Sequence, residues 1–189
     1  MTSGLDRIMA GAVGLLGTWP GFAALALCSG VLFGYLVPRA KAPIFAQTPA
    51  DLPHKVLDEY FPGYTPAIAR AFFAALGPDG RAAYRRFYLT MDFWFPGATA
   101  ALALASLLLI AYPPPSAWSW LALVALPSWL FDLAENLCHF RMAGSYPRLS
   151  PGFLTLAPAC TRLKWICAIV PLPVALVGFA IRFVQLPFI

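Results

Sequence analysis

The run IMAGAVGLLGTWPGFAALALCSGVLFGYLV, residues 8 to 37, carries no charged side chain. As one helix at about 1.5 Å per residue it would reach about 45 Å, longer than a hydrocarbon core of about 30 Å. Trp19-Pro20 divides it, because Thr18 can cap a helix and Pro20 can sit in the first turn. The main span is therefore placed at 19–37, with an interfacial or tilted lead-in from Ile8. A cleaved signal peptide is disfavoured. Asp6 beside Arg7 leaves little positive charge ahead of the run, and the apolar stretch continues far past a signal core.

Outward from this stretch the chain keeps the same character. Of its 189 residues, 60% are hydrophobic and only 11% charged, against about 25% charged in an average soluble domain. Such a composition excludes an ordinary cytosolic enzyme, a nucleic-acid binder and a disordered chain. The net charge of +5 then reads as a topology signal rather than a nucleic-acid footprint.

Three more spans follow. The second, 87–112, is interrupted by Asp92 and Pro96, and the third, 118–140, by Asp132 and Glu135. The fourth, 163–186, is kinked by Pro171 and Pro173 and has Arg182 near its far end. Pro113-Pro114-Pro115 makes the second and third antiparallel neighbours. The fold expected is all-α: a single transmembrane domain over 1–189, an integral membrane four-helix bundle with a short amphipathic surface helix in the first connection.

That connection, 38–86, opens as a proline-rich loop with Pro38, Pro43, Pro49, Pro53 and Pro62, in which His54 reads as exposed. Thr65-Pro66 then starts a helix that runs to Leu76 and stops at Gly77. Its stripe of Ile68, Phe72, Phe73 and Leu76 would lie on the membrane surface or on the bundle's own end. Asp79-Gly80 can cap the next helix, which would enter the bilayer near Phe87.

Orientation follows from the basic residues. The first connection holds Arg39, Lys41, Lys55, Arg70, Arg81, Arg85 and Arg86, and the third holds Arg141, Arg148, Arg162 and Lys164. Only Arg7 and Arg182 of the 13 fall on the other side. Both termini are therefore expected outside the cytoplasm.

Motifs for nucleophilic catalysis, metalloproteases, nucleotide loops and dinucleotide binding are absent. The cysteines, Cys28, Cys138, Cys160 and Cys167, form no C-x-x-C pair and read as small apolar residues. What remains is a set of carboxylates inside helices. One at a helix centre costs about 2.5–3.5 kcal/mol on an insertion scale. Asp132, Glu135, Asn136 and His139 share an arc of about 100° on the third helix. Arg85, Tyr88, Asp92 and Thr99 follow the same spacing on the second, and the fourth begins near Thr161 and brings Arg162 and Lys164 to the same cytoplasmic rim.

Three readings of these residues compete. One is a buried ion-pair network in which the acids pair with Arg85, Arg162 or Lys164. Another is an acid–base or substrate-binding site. The last is a divalent metal site built from Asp92, Asp132, Glu135 and His139, whose spacing matches no specific metal motif; no other cofactor is suggested. Gly30-x-x-x-Gly34, and Gly17-x-x-x-Gly21 across the break, allow close helix approach, within the bundle in preference to a homodimer. Trp118, Trp120, Trp165 and Tyr112 read as interface anchors.

The stretch Leu76-Gly77-Pro78-Asp79-Gly80-Arg81, with Tyr84, Asp92, Phe95-Pro96, Asp132-Leu133-Ala134-Glu135-Asn136 and Lys164-Trp165, resembles a pattern in an uncharacterised family of small bacterial inner-membrane proteins with four spans. The resemblance covers about 76–165. It implies a bacterial cytoplasmic membrane and marks Asp92, Asp132, Glu135, Asn136 and Lys164 as positions to test, but supplies no activity, substrate or cofactor.

The function expected first is binding or modification of a small amphiphile or lipid head group at a carboxylate-lined site at inner-leaflet level. Asp132 and Glu135 would be the acid–base pair, Asn136 and His139 would orient, and Asp92 would complete the pocket with Tyr88 beside it. Arg85, Arg162 and Lys164 would hold an anionic head. The alternatives are a non-catalytic accessory subunit or assembly factor, docking a partner through Gly30 and Gly34, and a proton-coupled carrier.

Overall fold

The computed structural model describes residues 4–46, 55–61 and 63–185; Pro49, Pro53, His54 and Pro62 of the expected loop lie outside them. Four helices are long and apolar enough to cross a membrane: Trp19–Phe45, Gly77–Ala111, Ser119–Ser145 and Pro151–Val184. They form the expected all-α four-helix bundle. Large apolar side chains such as Leu27, 70% exposed, and Phe183, 77% exposed, cover its outside. Only lipid accommodates so wide an apolar surface, and the chain is a multi-pass membrane protein.

The lead-in is a separate helix, α1 (Gly4–Leu16), which ends at Gly17. Thr18 Oγ1 accepts from the Gly21 N–H at 3.2 Å and starts α2 (Trp19–Val31), with Pro20 in the first turn. A Cβ on Gly21 would collide with the Leu15 carbonyl oxygen, so this turn requires glycine.

The first span does not stop at 37. It continues through a π turn at Leu32–Leu36, then α3 (Val37–Lys41) and a 3-10 turn at Ala42–Phe45. Pro38 and Pro43, expected in a loop, lie within this continuation. The Val37 N–H reaches back to the Leu32 carbonyl, and this widened turn absorbs the disturbance that Pro38 brings.

Helix α4 (Pro66–Ala75) starts where expected, with Thr65 Oγ1 accepting from the Ile68 N–H at 3.3 Å. Its buried face is Ala69, Phe73 and, just beyond its end, Leu76. Phe72 lies at the margin and Ile68 is exposed, which corrects the expected stripe by a rotation of the helix. The face packs on the bundle's own end, with the Phe72 and Phe73 rings 5.3 and 5.7 Å from Tyr84. Gly77, at φ +62, makes the turn.

Helix α5 (Gly77–Phe87) begins before the expected Asp79-Gly80 cap, and Asp79 occupies its first turn, where a negative charge suits the helix dipole. A π turn at Tyr88–Asp92 and a break precede α6 (Pro96–Ala111). The third span enters as a 3-10 turn at Ser119–Ala125 and continues as α7 (Leu126–Ser145). The fourth consists of α8 (Pro151–Ile169) and α9 (Pro171–Gln185), separated at Val170. It therefore starts about three turns earlier than expected. Ser150-Pro151 is its start signal, and Pro158 is tolerated inside it. Arg162 and Lys164 consequently lie within the helix, not at its rim, and the third connection shrinks to residues 146–150.

Two apolar cores result. The larger joins Val37, Ile44, Leu57, Phe73, Tyr84 and Met142 at the end covered by α4. The smaller joins Leu108, Leu109, Ala125 and Ala175 at the other end. Along each of the last three spans, the polar residues fall between these cores.

Candidate functional site

The expected stripe on α7 is buried throughout: Asp132, Glu135, Asn136 and His139 all face protein. Their partner is Lys164, whose Nζ lies 3.0 Å from Asp132 Oδ1 and 2.6 Å from Glu135 Oε2. Thr161 Oγ1 donates to Glu135 Oε1. Asn136 Nδ2 donates to Asp132 Oδ2 at 3.3 Å and to the Asp92 carbonyl at 3.5 Å. That carbonyl would serve residue 96 in a continuous helix, but Pro96 has no N–H to give.

His139 is not turned toward Asp132. Its Nε2 lies 2.6 Å from the Tyr64 hydroxyl and its Nδ1 3.0 Å from that of Tyr88, which itself donates to Tyr84 at 2.9 Å. Burial, then the charge of Glu135, pushes the Tyr64 phenol well above its ordinary value, so it keeps its proton and donates to Nε2. Tyr88 spends its one O–H on the bond it donates to Tyr84 and must accept from Nδ1–H. One proton order therefore satisfies the whole Tyr64–His139–Tyr88–Tyr84 chain, with a neutral imidazole.

In front of this network lies a cavity of about 580 Å³. Phe33, Val37 and Pro38 wall it from the first span, Pro96, Gly97 and Ala100 from the second, and Trp165 and Ala168 from the fourth. Two of its walls are the disturbed helices that precede Pro38 and Pro96. The first span and α9 meet where the Trp19 and Phe179 rings stack at 5.9 Å; farther along, first and fourth spans both line the cavity. Its charged end holds Lys41, Asp58, Glu59, Asp92, Asp132 and Lys164.

Each lysine there already has an acid: Lys41 Nζ lies 2.6 Å from Glu59 Oε1, and Lys164 is held as above. Asp92 Oδ2 and Asp58 Oδ1 are buried with no hydrogen-bond partner, as is Trp165 Nε1. For Asp58, burial favours the neutral acid, but attraction to Lys164 and Lys41 outweighs it and holds the carboxyl below its usual range.

Of the expected site residues, the structure brings Asp92, Asp132 and Lys164 to the cavity wall. Glu135 and Asn136 stand behind Asp132, and Tyr88 and His139 lie deeper, in the apolar core's tyrosine chain. Arg85 and Arg162 are not part of the wall. Arg85 lies over the Phe140 ring at 4.5 Å and against Gly144, while Arg162 packs against Gly63. Both are exposed. Among the described residues no group of three or more His, Cys, Asp or Glu is arranged to hold a metal ion, and the Tyr64 and Tyr88 hydroxyls occupy both His139 nitrogens. The cysteines are all free, with Cys138 and Cys160 buried, Cys167 intermediate and Cys28 exposed on the outer face.

Sequence reasoning missed Lys41, Asp58, Glu59 and Trp165. Trp165, expected as an interface anchor, lines the cavity and meets Phe61 edge-on at 6.1 Å. Tyr112, also read as an anchor, is tied into the bundle through its hydroxyl to the Val174 carbonyl at 2.9 Å. Trp118 and Trp120 are exposed as anchors would be. Gly30 and Gly34 were expected to pack within the bundle, yet nothing lies within 4 Å of a Cβ placed on either. No family model, curated protein or solved structure matches the chain, so the functional reading rests on this geometry.

Proposed function

We propose that the protein binds a small amphiphile or lipid, with the head group at the charged end of the cavity and the chain along its apolar walls. The observation that carries this reading is the cavity, about 580 Å³ and within the range of small-ligand sites. Its two kinds of wall match the two halves of an amphiphile. Binding is favoured over modification, because Asp132 and Glu135 both hold Lys164 and His139 faces tyrosines rather than the cavity. The head group would sit at inner-leaflet level of a bacterial cytoplasmic membrane, with both termini outside. Arg39, Arg81, Arg85, Arg86, Arg141 and Arg148 support that orientation.

Native mass spectrometry of protein released from mild detergent tests the reading. A bound amphiphile is expected on the native chain and not on Ala100→Trp, whose indole fills the cavity. Equal retention by the variant would overturn it. The accessory-subunit reading has one observation of its own, the open surface at Gly30 and Gly34, where a partner helix could approach closely. Loss of a co-purifying protein from a Gly30→Leu, Gly34→Leu variant would favour it. A proton-coupled carrier has no comparable support.

A further inference from the structure

We infer that the cavity selects a cationic amphiphile, one whose head group is a protonated amine. The inference rests on the amphiphile-binding reading and adds the chemistry of the head. Lys41 is paired with Glu59, and Lys164 is shared by Asp132 and Glu135. That leaves Asp58 and Asp92 on the wall with no cation in contact, and each has a buried oxygen without a hydrogen-bond partner. Asp92 is only 7% exposed. Asp92 is a buried carboxylate without a partner, which is costly, and Asp58 feels Lys164 and Lys41 but touches neither; an ammonium group supplies the N–H donors that both oxygens lack and a charge in contact with them.

An anionic head, expected from the sequence, finds one unpartnered donor, Trp165 Nε1, but no unengaged cation among the described wall residues. Its supposed partners Arg85 and Arg162 are not part of the wall, and both cavity lysines are engaged. It would meet two carboxylates that repel it. A hydroxyl head could donate to one oxygen but would bring no charge.

The test uses the full chain in nanodiscs of phosphatidylcholine, which carry no net charge, and radiolabelled decylamine, decanol and decyl sulfate. Saturable binding is measured above that of Ala100→Trp nanodiscs. Decylamine is expected to bind about tenfold or more tighter than decanol, the scale of a hydrogen bond to a charged group, with no saturable binding of decyl sulfate. Asp92→Asn and Asp58→Asn are each expected to weaken decylamine about tenfold and decanol by much less, because the amide oxygen still accepts from a hydroxyl, so the preference for amine over alcohol narrows in each. Should Asp92→Asn fail to fold, Asp58→Asn carries the test. Decanol or decyl sulfate binding as tightly as the amine would overturn the cationic head group and leave the amphiphile site standing. So would undiminished decylamine binding by both variants. Absence of saturable binding by all three probes would overturn the amphiphile site as well.

Discussion

Glu135 and Asp92 are both buried acids of the same polar layer, yet their surroundings predict opposite responses to neutralisation. Glu135 accepts from Thr161 and holds Lys164 at 2.6 Å. Glu135→Gln removes one of the two acids compensating that buried cation, and breaking a buried pair costs about 3–5 kcal/mol. Its melting temperature in detergent should fall well below that of the native chain. Asp92 has no cation in contact and one unpartnered oxygen, so Asp92→Asn should melt at the same temperature or higher. Equal losses in the two variants would contradict the pairing. Asp58 adds a pH dependence. Because its folded carboxyl sits below the usual range, the unfolded chain binds the proton first as acid is added. The stability this contributes is complete above the ordinary aspartate value of about 3.9 and disappears as pH falls through the lower folded value. Thermal melts from pH 6 to pH 3 should show a steeper loss for the native chain than for Asp58→Asn.

At the scale of elements, the cavity exists because prolines disturb the first and second spans and glycine lets the second and third close. Pro96 leaves the Asp92 carbonyl without its helical donor, and Asn136 of α7 serves it. One residue farther on, a Cβ on Gly97 would stand 2.5 Å from Asp132 Oδ2. Gly97→Ala must therefore push α6 from α7 or displace the carboxylate from Lys164. A loss of about 1–3 kcal/mol is expected from such overpacking, against no loss for Gly30→Ala, whose surroundings are open; paired thermal melts compare them. The polar face of α7 was legible because offsets of 0, 3, 4 and 7 place residues on one side of any helix. The start of α8 is equally legible in Ser150-Pro151, but the uninterrupted apolar run that marks a span begins only near Leu163. Pro38 misled because a proline breaks a helix unless a wider turn accommodates it. Asp58, Glu59 and Lys41 were not legible at all. The place of Asp58 and Glu59 depends on the connection folding back over the bundle, a long-range contact that no local spacing encodes, and that of Lys41 on the first span continuing past Pro38.

Across the whole molecule, the polar layer between two apolar cores sets where the cavity lies, and the distribution of arginine and lysine sets which way it faces. Lys164 no longer counts as an interface charge, since it neutralises Asp132 and Glu135 inside the bundle. The remaining basic residues still crowd one end. Arg81 donates to the Phe73 carbonyl at 2.8 Å and lies over the Tyr146 ring at 4.5 Å, so the first and third connections meet at the same surface. Arg182, by contrast, donates to the Ile110 carbonyl at 2.6 Å, beside the end of the second span at the opposite surface. Basic loops are retained on the cytoplasmic side, so the end covered by α4 should face the cytoplasm, and the cavity's charged end should lie on that side of the bilayer centre. A reporter active only in the cytoplasm should work when inserted near Pro53 and fail when fused after Ile189, while a reporter active only outside should give the reverse pattern. The opposite pattern for both reporters would turn the molecule over, placing the carboxylates in the outer leaflet and requiring any amphiphile to enter from outside.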